Sequence, residues 1–391
     1  MFGPERAVTE IETPARAAAT TAPAKIKRIE AIAVSLPMTK PMKMAGVLIT
    51  AADNVLVRME TDTGHIGWGE AASAPTMTGE TMESMTIAVR YMAPALTGCA
   101  LADIAQASVL MDRAMYGNNA AKAALEMAWH DALGKVTGRP VHDLLSGKRR
   151  DRVPALWMLG TGDADADVAE AQNKLAAGFV AFKIKVGVDT PQADALRTRR
   201  ICAALGTGKL ISADANQGWT VEQAIAYAKS VADTALDFLE QPVRGTDLAG
   251  MAAVAAASRL PIGFDEGAHS VADIARHHEL HAARGGSLKA IKLGGLMPVF
   301  EAAAICNSLN MKVNLACKVA ESGIGTAAVL QLAAAVPSLD WGVSLTSQYL
   351  AEDIVCKPLS FASGHATVPA GAGLGVEVDE ARVRKYEKKV Y

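Results

Sequence analysis

Between Ile26 and Glu70 apolar positions recur at every second residue. Ile29 to Leu36 alternates in this way, and Asn54-Val-Leu-Val-Arg-Met-Glu60 does so more clearly, the pattern of half-buried strands. Thr61-Asp-Thr-Gly64 reads as a turn, and His65-Ile-Gly-Trp-Gly-Glu70 as the returning strand, so the segment predicts an antiparallel meander. The period then lengthens. Thr81 to Leu96, Asp103 to Met115 and Ala120 to Val136 carry apolar residues three and four apart, which predicts amphipathic helices. Asn118 and Asn119 suit the N-cap of the last helix, and Gly138-Arg-Pro140 suits its end. Residues 25–150 are therefore expected to form an α+β domain.

Beyond Gly147-Lys-Arg-Arg150 short apolar runs alternate with Ala-rich helical stretches. The runs are Val153–Leu159, Phe179–Val186, Leu210–Asp214, Phe238–Gln241, Ile262–Asp265, Ala290–Leu293, Val313–Cys317 and Trp341–Leu345. Between them lie helical patterns such as Thr190–Leu205, Val221–Val231, Leu248–Ser258, Val271–His281 and Pro298–Leu309. A strand–helix repeat of this kind predicts an α/β fold, a (β/α) TIM barrel, over residues 151–350. An open doubly wound sheet is the competitor, but no GxGxxG follows the first strand. Residues 351–391 hold Gly- and Pro-rich turns and one more strand, expected to return to the N-terminal domain.

Composition narrows the function classes. A net charge of -2 over 391 residues offers no concentrated basic face, so no nucleic-acid partner is expected. No uncharged apolar run reaches the roughly 18 residues of a membrane span. The five cysteines are scattered without a CxxC pair, as expected of free thiols in a reducing cytoplasm. Residues 1–24, rich in Ala, Thr, Pro and Glu, read as a disordered tail without a signal peptide's apolar core.

The C-terminal ends of barrel strands converge on one mouth. Read in order, those ends carry Lys183-Ile-Lys185, Asp214-Ala-Asn216, Glu240-Gln-Pro242, Asp265-Glu266 and Lys292. Three carboxylates on three consecutive strand ends make an oxygen-rich site suited to Mg²⁺, with Mn²⁺ as a substitute. Lys183 and Lys185 are two apart and share the inward face of their strand. The chemistry that fits is removal of a proton α to a carboxylate, with a metal stabilising the enediolate and lysine as base.

In this order, Phe182-Lys-Ile-Lys-Val186, Asp214-Ala-Asn-Gln-Gly-Trp219, Glu240-Gln-Pro242, Asp265-Glu266 and Ala290-Ile-Lys-Leu-Gly294 resemble the enolase superfamily, in particular its muconate lactonizing enzyme subgroup. The helix motif Ala123-Ala-Leu-Glu-Met-Ala-Trp-His-Asp131 is similar as well, and the likeness spans about Lys25 to Val378. The resemblance implies a modified TIM barrel with an N-terminal α+β capping domain. It implies Asp214, Glu240 and Asp265 as Mg²⁺ ligands, Lys185 and Lys292 as the acid/base pair, and Lys183 beside Lys185, touching the substrate carboxylate. Asn216 and Glu266 would orient ligands and lysines, and Glu321 would sit where relatives read the substrate, with Lys318 a weaker alternative. Lys292 stands where mandelate-type relatives carry a His-Asp dyad, which argues against their chemistry.

The expected enzyme is an isomerase acting on a small carboxylate: a racemase or epimerase of an amino-acid derivative, or a muconate-type cycloisomerase. A syn-dehydratase of a hydroxylated amino acid such as cis-3-hydroxyproline is the second expectation, and an inactive binding homologue the third. Relatives imply a homo-oligomer. Met38 to Met44 and Met77 to Met85 are expected to supply an apolar lid. His277, His278 and His281 fall on an outer helix and are expected to be solvated.

Overall fold

A computed structural model describes residues 23–44 and 47–390. The expected tail therefore lies outside the described residues, apart from positions 23 and 24. Strands β1 (Ile26–Met44), β2 (Val47–Thr61) and β3 (Ile66–Ala72) form an antiparallel sheet, with Ala33 opposite Val55 and Val57 opposite Gly69. Helices α1 (Met82–Leu96), α2 (Ala107–Ala114), α3 (Asn119–Thr137) and the short α4 (Val141–Leu145) follow. Helix α3 packs directly on β3 because Gly67 and Gly69 carry no side chain. A Cβ would lie 2.1 Å from Ala128 O at Gly67 and 1.9 Å from Ala124 O at Gly69. The N-terminus of α3 is capped by Glu80 rather than by an asparagine: its carboxylate accepts from the N–H groups of Ala120 (2.9 Å) and Ala121 (3.1 Å).

Eight parallel strands close on themselves: β4 (Arg152–Leu159), β5 (Ala181–Lys185), β6 (Leu210–Asp214), β7 (Phe238–Glu240), β8 (Ile262–Phe264), β9 (Gly285–Leu288), β10 (Lys312–Ala316) and β11 (Val343–Ser344), with β11 pairing back to β4. Around them run α5 (Ala164–Ala176), α6 (Pro191–Leu205), α7 (Val221–Ser230), α8 (Leu248–Ala257), α9 (Val271–Glu279), α10 (Ala290–Leu293), α11 (Leu296–Ser308) and α12 (Gly323–Ala335). The chain ends with β12 (Phe361–Ala362), β13 (His365–Thr367), α13 (Glu380–Tyr386) and β14 (Glu387–Lys388). Strand β14 returns to the N-terminal sheet, placing Lys388 opposite Ala33. The architecture is a modified TIM barrel with an N-terminal capping domain.

Two elements differ from the sequence expectation. The sixth barrel strand is Gly285–Leu288, and the apolar run Ala290–Leu293 is instead a turn of helix closed by Gly294 in a left-handed conformation. The strand escapes a β-propensity reading because it begins with two glycines. Both are demanded by packing: a Cβ at Gly285 would meet Lys312 O at 2.2 Å, and one at Gly286 the Phe264 ring at 2.2 Å. His277 is buried on α9, with Nδ1 donating to Asp273 O (2.8 Å), so it is not solvated as expected.

The capping domain and barrel are joined by buried carboxylates on α3. Glu126 accepts from the N–H groups of Leu296 (2.7 Å) and Met297 (2.9 Å) at the start of α11. Asp131 accepts from Trp68 N in β3 and Leu374 N in the C-terminal segment (both 2.8 Å). The Glu126 bonds tie the cap to a barrel helix, and the Asp131 bonds tie α3 to β3 and to the C-terminal segment.

Candidate active site

The strand register levels the chemical groups at one height. Lys185 pairs with Asp214, and Asp214 with Glu240, as Cα partners across β5, β6 and β7. Above them is a chamber whose wall includes Lys183, Lys185, Asp214, Asn216, Asp265, Lys289 and Lys318. Leu156, Met158, Leu345 and Tyr349 give it an apolar side, and Met77 from the capping domain reaches its roof. The Met77 loop is held to the barrel by His269, whose Nε2–H donates to Met77 O (2.8 Å). Within the expected lid segment Met77 to Met85, Met77 thus lines the mouth, whereas Met85 is buried in the capping-domain core. In the other segment, Met38 and Met42 pack against the larger hydrophobic core and do not line the chamber.

Each strand-end carboxylate meets a lysine. Lys183 pairs with Glu240, Lys185 donates to Asp214 Oδ2 (2.6 Å), and Lys289 pairs with Asp265. Lys185 also donates to Asn216 Oδ1 (2.8 Å), whose amide donates on to Glu266 (3.1 Å). Burial alone would raise the carboxylate pKa values. Lys185 and Lys183 overcome it at Asp214, and Lys289 and Lys292 at Asp265, so both are held below the usual range. At Glu240 burial wins and the pKa rises despite Lys183. Burial, with Asp265 and Asp214 close by, pushes Glu266 up to about 7.

The donor set fits a hard divalent cation. Asp214, Glu240 and Asp265 offer only oxygen, on adjacent strands, and Asp265 Oδ1 is buried without a hydrogen bond. That oxygen lies 2.9 Å from Lys292 Nζ, an ionic contact off the hydrogen-bond direction. No three acidic, histidine or cysteine side chains among the described residues are already gathered as a cation's ligands; the lysines take up the carboxylate charge instead.

Four of the expected site residues do not line the chamber: Glu240 pairs with Lys183, Glu266 lines the neighbouring space, and Lys292 and Glu321 are turned away. Lys292 is fully buried on α10, donates to Ser287 O (2.8 Å) and Asp265 O, and lines no part of the chamber. The lysine that faces it from the sixth strand end is Lys289, the residue just after β9. The difference follows from the strand's position: with β9 at Gly285–Leu288, inward parity runs through Ser287 to Lys289, three residues before Lys292. Glu321 is likewise turned away. Its carboxylate converges with that of Glu70 on Gly325, where an added Cβ would lie 2.9 and 3.1 Å from them, and Lys318 takes the chamber wall instead.

Several supporting residues were missed from sequence. Gln241 Oε1 accepts from Asp265 N (2.8 Å) and Gly267 N (3.0 Å), bracing the fifth strand end. Ser287 donates to Glu240 Oε1 (2.7 Å). Arg197 binds Asp167 (2.6 Å) and Asp194 (3.0 Å) and caps the carbonyl of Lys185. Only the parity of Ser287 with Lys289 could have been read beforehand.

The comparisons agree with this geometry. Residues 28–146 match the mandelate racemase / muconate lactonizing enzyme N-terminal domain, and residues 166–382 the enolase C-terminal domain-like family. A chloromuconate cycloisomerase of Cupriavidus pinatubonensis is 32% identical over 360 residues, 91% of this chain and 96% of that protein. The crystal structure of a muconate lactonizing enzyme from Pseudomonas fluorescens, complexed with muconolactone, superposes with a TM-score of 0.90 at 31% identity, covering 93% of this chain and all (100%) of that one. An N-succinyl Arg/Lys racemase from Bacillus cereus superposes with a TM-score of 0.89 at 28% identity, over 93% of this chain and 98% of that one. These relatives are isomerases of a metal-dependent family. This chain belongs to that family, the muconate lactonizing enzyme subgroup of the enolase superfamily, and is an isomerase of the superfamily.

Proposed function

We propose that the enzyme is a Mg²⁺-dependent isomerase that removes the proton α to the carboxylate of a small substrate and returns it to the same carbon, using Lys185 and Lys289. The observation that carries this reading is the placement of those two lysines. They stand on strand ends β5 and β9, four places apart in a ring of eight, and face one chamber from opposite walls. One can take a proton from one face of a planar carbon while the other delivers a proton to the opposite face. Such 1,1-proton transfer is the chemistry of racemases and epimerases.

Asp214, Glu240 and Asp265 would hold Mg²⁺. When bound, the metal supplies fixed positive charge against the negative charge that develops on the substrate carboxylate. Lys183, paired with Glu240 on the same wall as Lys185, adds a second cation there. Asn216 holds the Lys185 ammonium and Glu266 in line. Leu156, Met158 and Met77 exclude water, which strengthens each of these interactions.

The test is proton NMR in D₂O with Mg²⁺ over N-acylated amino acids, dipeptides, proline derivatives and muconate. Washout of an α-proton without a new skeleton is the expected result. Loss of a β-substituent, or no exchange from any carboxylate, would count against the reading.

No helix among the described residues is long and apolar enough to cross a membrane. The reading places the enzyme in the cytoplasm, in keeping with its five free cysteines. It also takes the enzyme to be a homo-oligomer, for which the exposed Ile87 and Tyr91 on one face of α1 offer an apolar surface.

A further inference from the structure

Four lysines line the chamber, and three of them have carboxylate partners: Lys183 with Glu240, Lys185 with Asp214 and Lys289 with Asp265. Lys318 has none. Among the described residues its ammonium makes no ion pair or hydrogen bond, although only 9% of the residue is exposed. Its backbone is fixed, because its carbonyl accepts from Thr346 Oγ1 (2.8 Å) and from Glu321 N (3.1 Å). The nearby Glu321 carboxyl does not reach back to it, being turned onto Glu70 and Gly325. Lys318 also lines the wider vestibule outside the chamber, where Arg244 is a second cation.

The ammonium is not a buried, unpartnered atom: Lys318 borders both open spaces, and its charge is the one among the four chamber lysines that no carboxylate of the described residues pairs with. Burial, with Lys289 and Lys185 close by, lowers its pKa to about 8, which still leaves it mostly charged at neutral pH. An anionic group that enters the chamber can supply the counter-charge that the described residues do not. The α-carboxylate cannot supply it, since the reading above directs that group to the Asp214, Glu240 and Asp265 side and to Lys183.

We propose that Lys318 is the specificity residue of this enzyme, and that it takes up an anionic group, a carboxylate, which the substrate carries in addition to its α-carboxylate. This rests on the proposed α-proton chemistry for the placing of the first carboxylate. Lys318 stands on the strand-seven end, so the two carboxylates lie across the chamber with the reacting carbon between Lys185 and Lys289. An amino acid whose only anionic group is its α-carboxylate would leave Lys318 bare.

The test is binding to the full chain with Mg²⁺, by calorimetry, of succinate, glutarate and adipate against butyrate, pentanoate and hexanoate. The readout is the ratio of affinities within each matched pair. For the best-fitting length we expect the wild type to prefer the dicarboxylate at least tenfold. Lys318→Met should shrink that ratio below threefold, and Lys318→Arg should keep most of it. A wild-type ratio near one at every length, or an undiminished ratio in Lys318→Met, would overturn the proposal. The two readings fail separately. α-Proton exchange from monocarboxylates and dicarboxylates alike would sink the Lys318 assignment alone. A Lys318-dependent ratio with no exchange from any carboxylate would sink the α-proton reading alone.

Discussion

Lys289 and Lys292 are three residues apart and both contact Asp265, yet only Lys289 faces the chamber. Lys289 follows β9 in an extended conformation, whereas Lys292 is wound into the next helical turn beneath the strand ends. One lysine therefore borders the open chamber, and the other contacts Asp265 and the Ser287 carbonyl from within the protein. Their surroundings differ accordingly. Asp265 and Glu240 outweigh burial and raise the Lys289 pKa, while burial wins at Lys292 and lowers it.

Lys292→Met is predicted to act on stability. It removes one of two lysines that neutralise the buried Asp265 and the donor that Lys292 supplies to the Ser287 and Asp265 carbonyls, at about 1–3 kcal/mol for a buried group left unpaired. A large fall in the urea midpoint is expected, whereas Lys289→Met, whose side chain borders a cavity, should fall less. Equal midpoints for the two variants would contradict the division of roles.

Removal of the metal ligands is checked by melting temperature. Mg²⁺ at a hundred times its Kd should stabilise the wild type by about 2.7 kcal/mol. Asp214→Asn, Glu240→Gln and Asp265→Asn should each abolish most of that rise. A variant that keeps the full Mg²⁺ response would remove its residue from the ligand set.

Glu321 makes stability depend on pH. Burial raises the pKa of Glu70, although it accepts from four donors that favour its ionised form, Asn54 Nδ2, Ser322 N, Ser322 Oγ and Gly325 N. Glu321 lies beside it, with Cys317 and Lys318 as its other polar neighbours, and burial followed by the Glu70 charge raises its pKa to about 8. A carboxyl whose folded pKa is raised binds a proton that the unfolded chain has already released. Its contribution is complete below the unfolded value of 4.5 and is lost as pH rises toward about 8, at up to about 1.4 kcal/mol per pH unit. Glu321→Gln should therefore gain stability over the wild type between pH 5 and pH 8, by several degrees in melting temperature at the upper end. A difference that stays flat across that range would show that Glu321 is already ionised.

Glu126→Ala should weaken the joint between cap and barrel. The N–H groups of Leu296 and Met297 would lose their shared acceptor, at about 1–3 kcal/mol for each buried donor left unpaired. Hydrogen exchange at the start of α11 should rise more than in α6, which Glu126 does not touch. Uniform exchange would mean that the contact is not local in effect.

The parts legible in the sequence were those written in period and parity. Alternation in Asn54 to Glu60, the inward pair Lys183 and Lys185, and the acidic ends at Asp214, Glu240 and Asp265 could all be read without coordinates. What failed were places where packing overrode propensity. Gly285 and Gly286 look like a break, yet form a strand because neighbouring backbone and the Phe264 ring leave no room for a side chain. Moving that strand carried the chamber lysine from Lys292 to Lys289. Glu321 and His277 were misjudged because the partners of each, Glu70 and Asp273, are set by tertiary contacts or by helix orientation rather than by local pattern.

The central claim is that Lys185 and Lys289 serve opposite faces of one carbon, and α-deuterium incorporation from each antipode of the substrate tests it most directly. Lys185→Met should stop exchange from one antipode, and Lys289→Met from the other, each by about a thousandfold or more, within the range ascribed to a single acid/base group. If Lys289→Met exchanges both antipodes at the wild-type rate, the assignment of the two lysines is wrong.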